Sequence, residues 1–316
     1  MKNIIRKILF GDSVIREYST VTVSDGIREK VYLKTGELLI DISETHWVLC
    51  LEPIVIGIWV ENKDQVSALD KKTDYTIYFR DSDGGNEKNI QKNTVAVLDL
   101  DFFDKITESK GSLFLLRMRK SRIFHLNVIQ TFLIYFKYYK KPHLSFKKLK
   151  SFVSAYSYPR RVRVVSFKSD DYYNIFPMDL LGDISQCNRY VFGLRHTNIA
   201  LSKIIEAGKV VVSEISYEHK DIIYQLGKHH SSIPPSLDLL PFKVITSENF
   251  GFYIPDWVES YKEIRIVRTI NLGSHMMLWG EVVNQKKLKT PTDHLFHIHF
   301  LLYLHQKKKE FSYQLV

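Results

Sequence analysis

The sequence predicts a mainly β protein with short helices (β-barrel, α+β), built on small antiparallel barrels rather than a doubly wound sheet. Two observations predict it. Aromatic residues make up 13% of the chain and are chiefly Phe and Tyr, types that fit a pleated, half-buried surface. Apolar runs of strand length recur between turn residues, and few stretches carry helical spacing.

The elements follow in order. "KVYLKTGELLIDI", "HWVLCLEPIVIGIWV", "DYTIYFR" and "NTVAVLDLDFF" read as strands of the first hundred residues, with "DSDGGNEKN" as a polar loop. The run Trp47 to Val60 contains Glu52 and Pro53 and is too short to cross about 30 Å of hydrocarbon, so it reads as buried strand. Ser121 to Tyr139 reads as a helix with a broad apolar face, stopped by Lys140, Lys141 and Pro142. A domain junction is expected between Pro142 and Pro159, giving domains 1–145, with a basic helix at its end, and 146–316. In the second half "RVRVVSF" is a strand, "SDDYY" a turn, and "NIFPMDLLGDIS" extended. "YVFGLR" is a strand, and Thr197 to Ala207 a helix with Ile199, Ile204 and Ile205 on one stripe and Gly208 beyond its end. "KVVVSEI" is a strand, His219 to Leu226 a short helix ending at Gly227, and "IRIVRTINLGSHMMLWGEVV" a hairpin turning near Asn271 to Gly273.

Composition narrows the class. At 316 residues, 45% apolar and a mean hydropathy of −0.16, the chain reads as a soluble two-domain protein. Cys50 and Cys187 form no disulfide framework and suit a reducing, cytoplasmic setting. "MKNIIRKILFGDSVI" is interrupted by Arg6, Lys7 and Asp12 and is no secretory signal; no membrane partner is expected. The net charge of +10 is uneven: Lys105 to Lys168 holds sixteen Lys or Arg against Glu108, a local +15. Such a stripe attracts polyanions, nucleic acid among them; its plainer reading is a solvated helix face.

One junction carries a candidate chemistry. Arg195, His196, Thr197 and Asn198 stand where a strand hands over to a helix. Arg195 offers a bidentate fork to a phosphate, and Thr197 and Asn198 short donors at a helix start that already favours an anion. The plainer reading is that Thr197 or Asn198 caps the helix and Arg195 is solvated. His294, His297, His299 and His305 crowd the C-terminal end, but no Cys and no acid beyond Asp293 joins them, so no metal is expected.

The ordered set "YPRRVRVVSF", "NIFPMDL", "YVFGLRHTN", "IIEAGKVVVSEI" and "NLGSHMMLWGEVV", from Tyr158 to Val283, resembles the flavin reductase-like family, whose fold is the FMN-binding split barrel. The resemblance implies bound FMN held by Asn174, Pro177, Met178, Asp179, Leu180, Arg195, His196, Thr197, Asn198, Lys228, His229 and Ser231, with Asp179 as acceptor for a ring N–H. It implies His275 as a catalytic residue near the ring, NAD(P)H as reductant, and an oxidoreductase passing hydride to an unknown acceptor. With no Gly-x-Gly-x-x-Gly motif, nicotinamide recognition would rest on shape. Phe176, Pro177 and Met178 replace the family's small polar cluster, and "SQCNR" its Asp-Pro-Pro. The first half reads as a degenerate second barrel, because "WVLCLEPIVIGIWV" resembles a family strand while "ENKDQ" lacks the basic cluster. Split-barrel flavin sites usually lie between subunits, so either a homodimer or an intrachain pseudo-dimer is implied. The alternative is a non-catalytic polyanion- or nucleic-acid-binding protein on the same scaffold.

Overall fold

In the computed structural model, residues 18–23, 27–70, 74–81, 93–136, 145–169, 172–230, 232–308 and 313–315 are described. After β1 (Tyr18–Val23) the chain forms β2 (Lys30–Thr35), β3 (Leu38–Asp41), β4 (His46–Leu51), β5 (Ile54–Val60), α1 (Lys63–Asp70), β6 (Asp74–Arg80), β7 (Thr94–Glu108) and β8 (Gly111–Ile123). Then come α2 (Val128–Ile134), α3 (Phe146–Ala155), β9 (Arg160–Arg161), β10 (Arg163–Ser169), β11 (Tyr172–Met178), β12 (Leu181–Ile184) and β13 (Arg189–Arg195). The rest comprises α4 (Leu201–Ala207), β14 (Lys209–Glu214), α5 (Lys220–Leu226), β15 (Val244–Thr246), β16 (Tyr253–Pro255), β17 (Ser260–Asn271), β18 (His275–Lys287), β19 (His294–His299), α6 (Phe300–Lys308) and β20 (Gln314–Leu315).

Two seven-stranded antiparallel sheets dominate. Their orders are β3-β2-β6-β7-β8-β5-β4 and β11-β10-β14-β17-β18-β13-β12. Each encloses its own apolar core, one around Ile56, Ile77, Leu98 and Phe114, the other around Val165, Phe176, Phe192 and Ile264. A third apolar cluster joins the two sheets: Leu49, Val55, Trp59 and Leu113 of the first meet Val191, Met277 and Trp279 of the second. Fully burying a large apolar side chain contributes about 1.5–3 kcal/mol, so this junction is a core of its own. The first and last described strands meet the middle of the chain in a small sheet of order β20-β1-β19-β9, backed by α6.

The antiparallel strand architecture predicted from composition is present, and two local expectations change. The helix expected from Ser121 to Tyr139 starts as strand: β8 continues to Ile123, where Ser121 to Ile123 pair with Ala96 to Leu98 of β7. Tertiary pairing overrides the helical spacing there. The helix itself, α2, is capped by Asn127, whose side chain accepts the Gln130 N–H. Its apolar face is as broad as expected, with Thr131 and Ile134 buried but Val128, Ile129, Phe132 and Leu133 exposed; residues 137–144 lie outside the described residues. The helix expected from Thr197 begins instead at Leu201, because Asn198 first makes a turn, its Oδ1 accepting the Ala200 N–H at 2.9 Å. In the expected junction, α3 packs on β7 and β8, and Ala155, Tyr156 and Tyr158 enter the first barrel's core.

Part of the basic stripe is countercharged, while Lys110, Arg117, Lys120 and Lys147 are exposed. Arg119 meets Asp74 at 3.3 Å and Asp101 at 3.2 Å, Arg122 meets Asp99 at 3.0 Å, and Lys105 meets Asp70 at 2.6 Å. Arg161 and Arg163 share Glu214 at 2.8 and 2.6 Å. The loop "DSDGGNEKN" lies outside the described residues after Asp81.

Candidate functional site

Antiparallel pairing of β13 with β18 sets Arg195 opposite His275, residues 80 positions apart in the chain. The end of β11 and the link to β12 run alongside, because the Gly193 N–H donates to the Leu180 carbonyl at 2.8 Å. These elements enclose a cleft of about 190 Å³ lined by Phe176 to Leu180, Gly193 to Arg195, Asn198, Gly227 and His275. Its walls are mainly apolar. A second cavity of about 420 Å³ shares Asn198 and is lined also by His196, Thr197, Ser202 and Met276.

The polar groups of the cleft have a definite electrostatic state. Arg195 is exposed, and its guanidinium has no acidic partner among the described residues. His275 is fully buried. Desolvation first, then the neighbouring Arg195 and His196, push its pKa down to about 4, so at neutral pH it is an uncharged imidazole. Its Nδ1 lies 2.8 Å from Ser274 Oγ, while its Nε2 is buried with no hydrogen-bond partner. A buried, unpartnered ring nitrogen is costly unless a ligand meets it. Ser274 is fixed in turn from the first barrel: its N–H donates to the Glu52 carbonyl at 2.7 Å, and its Oγ accepts the Glu52 N–H at 3.1 Å.

Asp179 is committed elsewhere. Its Oδ2 meets Arg160 Nη1 and His297 Nδ1, each at 2.8 Å. Burial works to raise its pKa, but Arg160 and the His297 bond outweigh burial and hold the carboxyl below its ordinary value. His297 Nε2 meets the Tyr224 hydroxyl at 2.8 Å. The Oδ2 of the carboxylate expected to accept a ring N–H thus ties the 177–180 segment to β9 and β19.

The structure brings together seven of the nominated residues: Pro177, Met178, Asp179, Leu180, Arg195, Asn198 and His275 line one cleft, and His196 and Thr197 the adjoining cavity. Asn174 is not among them. Its amide nitrogen ties Tyr172 Oη at 2.9 Å to the His229 carbonyl at 3.0 Å, which fastens the loop after α5 to β11. Lys228 is exposed and His229 half-buried, and neither lines the cleft; Ser231 lies outside the described residues. The C-terminal histidines diverge: His294 faces Glu259, His297 Asp179, and His305 Asp81, while His299 is buried. Among the described residues no cluster could hold a metal ion, and no helix is long and apolar enough to cross a membrane.

Sequence reasoning missed Gly193, Gly227 and Ser274. Gly193 had a signal: a glycine inside a strand marks a close backbone approach, and here a Cβ would lie 1.9 Å from the Leu49 carbonyl oxygen of the first barrel.

No protein-family model matches the chain, and no curated protein matches it. Solved structures do. The chain is similar to an FMN-binding protein from Thermus thermophilus (17% identity, 44% of this chain and 82% of that one, TM-score 0.39). It is similar to BorF, the flavin reductase component of a bacterial two-component tryptophan halogenase (13% identity, 44% and 87%, TM-score 0.40). A third is the NADH:FAD oxidoreductase SgcE6 of Streptomyces globisporus (14% identity, 49% and 90%, TM-score 0.41). The similar structures are thus flavin reductases and FMN-binding proteins, each matching less than half of this chain.

Proposed function

We propose that the chain binds FMN at the cleft of the second barrel and works as a flavin-dependent oxidoreductase, with NAD(P)H as reductant. The observation that carries this reading is the convergence on one cleft of residues from "NIFPMDL", "YVFGLRHTN" and "NLGSH", motifs far apart in the chain.

The residues suit the group. A cleft of about 190 Å³ is smaller than the roughly 300–1,000 Å³ of common small-molecule sites, so it takes the flat ring system alone. The cavity of about 420 Å³ beyond Asn198, with His196, Thr197 and Ser202, takes the polar tail. Arg195 lines the cleft beside Asn198, has no acidic partner among the described residues, and offers a planar fork to a phosphate. His275 Nε2 gives or accepts one hydrogen bond at the ring's edge, as a neutral group throughout the physiological range. Phe176, Pro177, Met178 and Leu194 supply apolar lining to the cleft. Bound flavin supplies the hydride chemistry; the protein orients it and tunes its surroundings. Within the basic stripe, Lys105, Arg119 and Arg122 are paired with Asp70, Asp74, Asp99 and Asp101, which weakens the polyanion alternative at those positions.

The test is a titration of FMN fluorescence with purified protein. Saturable quenching in the micromolar range is expected, weakened at least tenfold in Arg195→Ala. Unaltered FMN fluorescence at tens of micromolar protein, or an Arg195→Ala protein that binds as tightly as the parent, overturns the reading.

A further inference from the structure

The two large sheets have the same strand order when β2 to β8 are matched in sequence with β10 to β14, β17 and β18. The match extends to single residues. Gly57 and Gly193 hold the same place, paired with Leu115 of β8 and Met277 of β18. Five positions further on, Asn62 and Asn198 make the same turn, each side chain accepting the N–H two residues ahead at 2.9 Å. A Gly-Ser pair marks the entry to the last strand in both: Gly111–Ser112 begin β8 and Gly273–Ser274 immediately precede β18. Three separate landmarks therefore agree on one register.

In that register Trp59 stands where Arg195 does, Val60 for His196, Glu61 for Thr197, and Leu113 for His275. Trp59 pairs with Leu113 as Arg195 pairs with His275. The consequence is visible in burial. Trp59 is 2% exposed and Leu113 0%, both inside the apolar cluster that joins the barrels, whereas Arg195 is exposed. The groups that would receive an anion in the second barrel are, in the first, the contact surface.

We infer that the chain is an internal duplication with one working site: the first barrel's copy of the cleft became the apolar plug of the junction, and that barrel now serves as a built-in partner subunit for the second. The partner contributes to the surviving site directly. The Leu49 carbonyl backs Gly193, a Cβ at Gly273 would meet the Glu52 carbonyl oxygen at 2.5 Å, and Glu52 holds Ser274, which holds His275. One chain thus does what two identical chains would do, with a single ligand rather than two. The ligand's identity rests on the flavin reading; the duplication does not.

Two measurements on the full chain test it: sedimentation velocity at micromolar concentration, and equilibrium dialysis against FMN. The expected results are a monomer of about 37 kDa and a stoichiometry of one FMN per chain. Glu61→Ala, at an exposed position, is expected to leave stoichiometry and affinity unchanged within twofold, while Thr197→Ala, its counterpart, weakens binding by at least threefold. Two FMN per chain, or equal effects of the two substitutions, overturns the single-site inference. Absence of binding at millimolar FMN sinks the flavin reading; the duplication is then decided by sedimentation, where a monomer supports it and a stable dimer contradicts a pair closed within one chain.

Discussion

Replacing Gly193 with Ala drives a methyl group into the backbone of the other barrel. The added Cβ would lie 1.9 Å from the Leu49 oxygen, 2.6 Å from its carbonyl carbon and 2.9 Å from its Cα. Ordinary contact begins at 3.4 Å, so β4 must withdraw by about 1.5 Å. It has little room. Leu49 is fully buried, Trp47 and Val48 are paired with Gly57 and Ile56 of β5, and Cys50 with Val55. Overpacking commonly costs about 1–3 kcal/mol. Here the atoms struck are all backbone, and a gap of 0.5–1 Å opened elsewhere forfeits roughly a quarter to a half of each dispersion contact. The expected loss is therefore about 3 kcal/mol or more. Gly208→Ala is the control: its φ is +63° and nothing lies within 4 Å of the new Cβ, so it carries only the left-handed strain of about 1–2 kcal/mol. Urea unfolding followed by tryptophan fluorescence measures both. If Gly193→Ala is no less stable than Gly208→Ala, the close apposition of the two barrels is wrong.

Other outcomes follow from the same contacts. Asp179→Asn removes the negative charge between Arg160 and His297 and leaves Arg160, whose side chain is 10% exposed, without its countercharge; breaking such a pair costs about 3–5 kcal/mol, to be read as a fall in urea midpoint with a lowered FMN affinity, and an unchanged midpoint would contradict the anchoring role. Acid should weaken the fold in a defined window. Burial lowers the pKa of His46 from 6.5 to about 4; a depressed folded-state value means the unfolded chain binds the proton first, so stability is intact above pH 6.5 and is lost as pH falls toward 4, by about 3 kcal/mol for this group. Unfolding midpoints that stay level from pH 7.5 to 4.5 would refute it. Ser274→Ala strips partners from the Glu52 N–H and from His275 Nδ1; FMN affinity is expected to fall severalfold, with the loss smaller in Ser274→Thr, which keeps the hydroxyl.

Much of the fold could be read from local pattern. "YVFGLR", "KVVVSEI" and the Gly-Ser hairpin became β13, β14 and the β17–β18 turn, because turn residues and β-branched runs act within a few positions. The Ser121–Tyr139 stretch holds a helix at Val128–Ile134 but differs at its start for the same reason: its spacing satisfies a helix, and only pairing with β7, more than twenty residues upstream, makes Ser121 to Ile123 a strand. At the site, Arg195 and His275 could be nominated from chemistry and motif order, but their adjacency is a product of register. Asp179 looked like a ligand group because its partners, Arg160 and His297, lie 19 and 118 residues away, and no local signal announces an ion pair of that span. The matched places of Trp59 and Arg195 were hidden as well, since the two side chains share no chemistry and only the glycine and asparagine landmarks align them.

A crystal structure of the protein grown with FMN tests the central reading most directly. The expected density is a ring system against Phe176 to Leu180 and His275, with the phosphate within hydrogen-bonding distance of Arg195. Density that instead fills the cavity of about 340 Å³ between the barrels, beside Arg160, Arg161 and Arg163, or an unfilled cleft at saturating FMN, would contradict it.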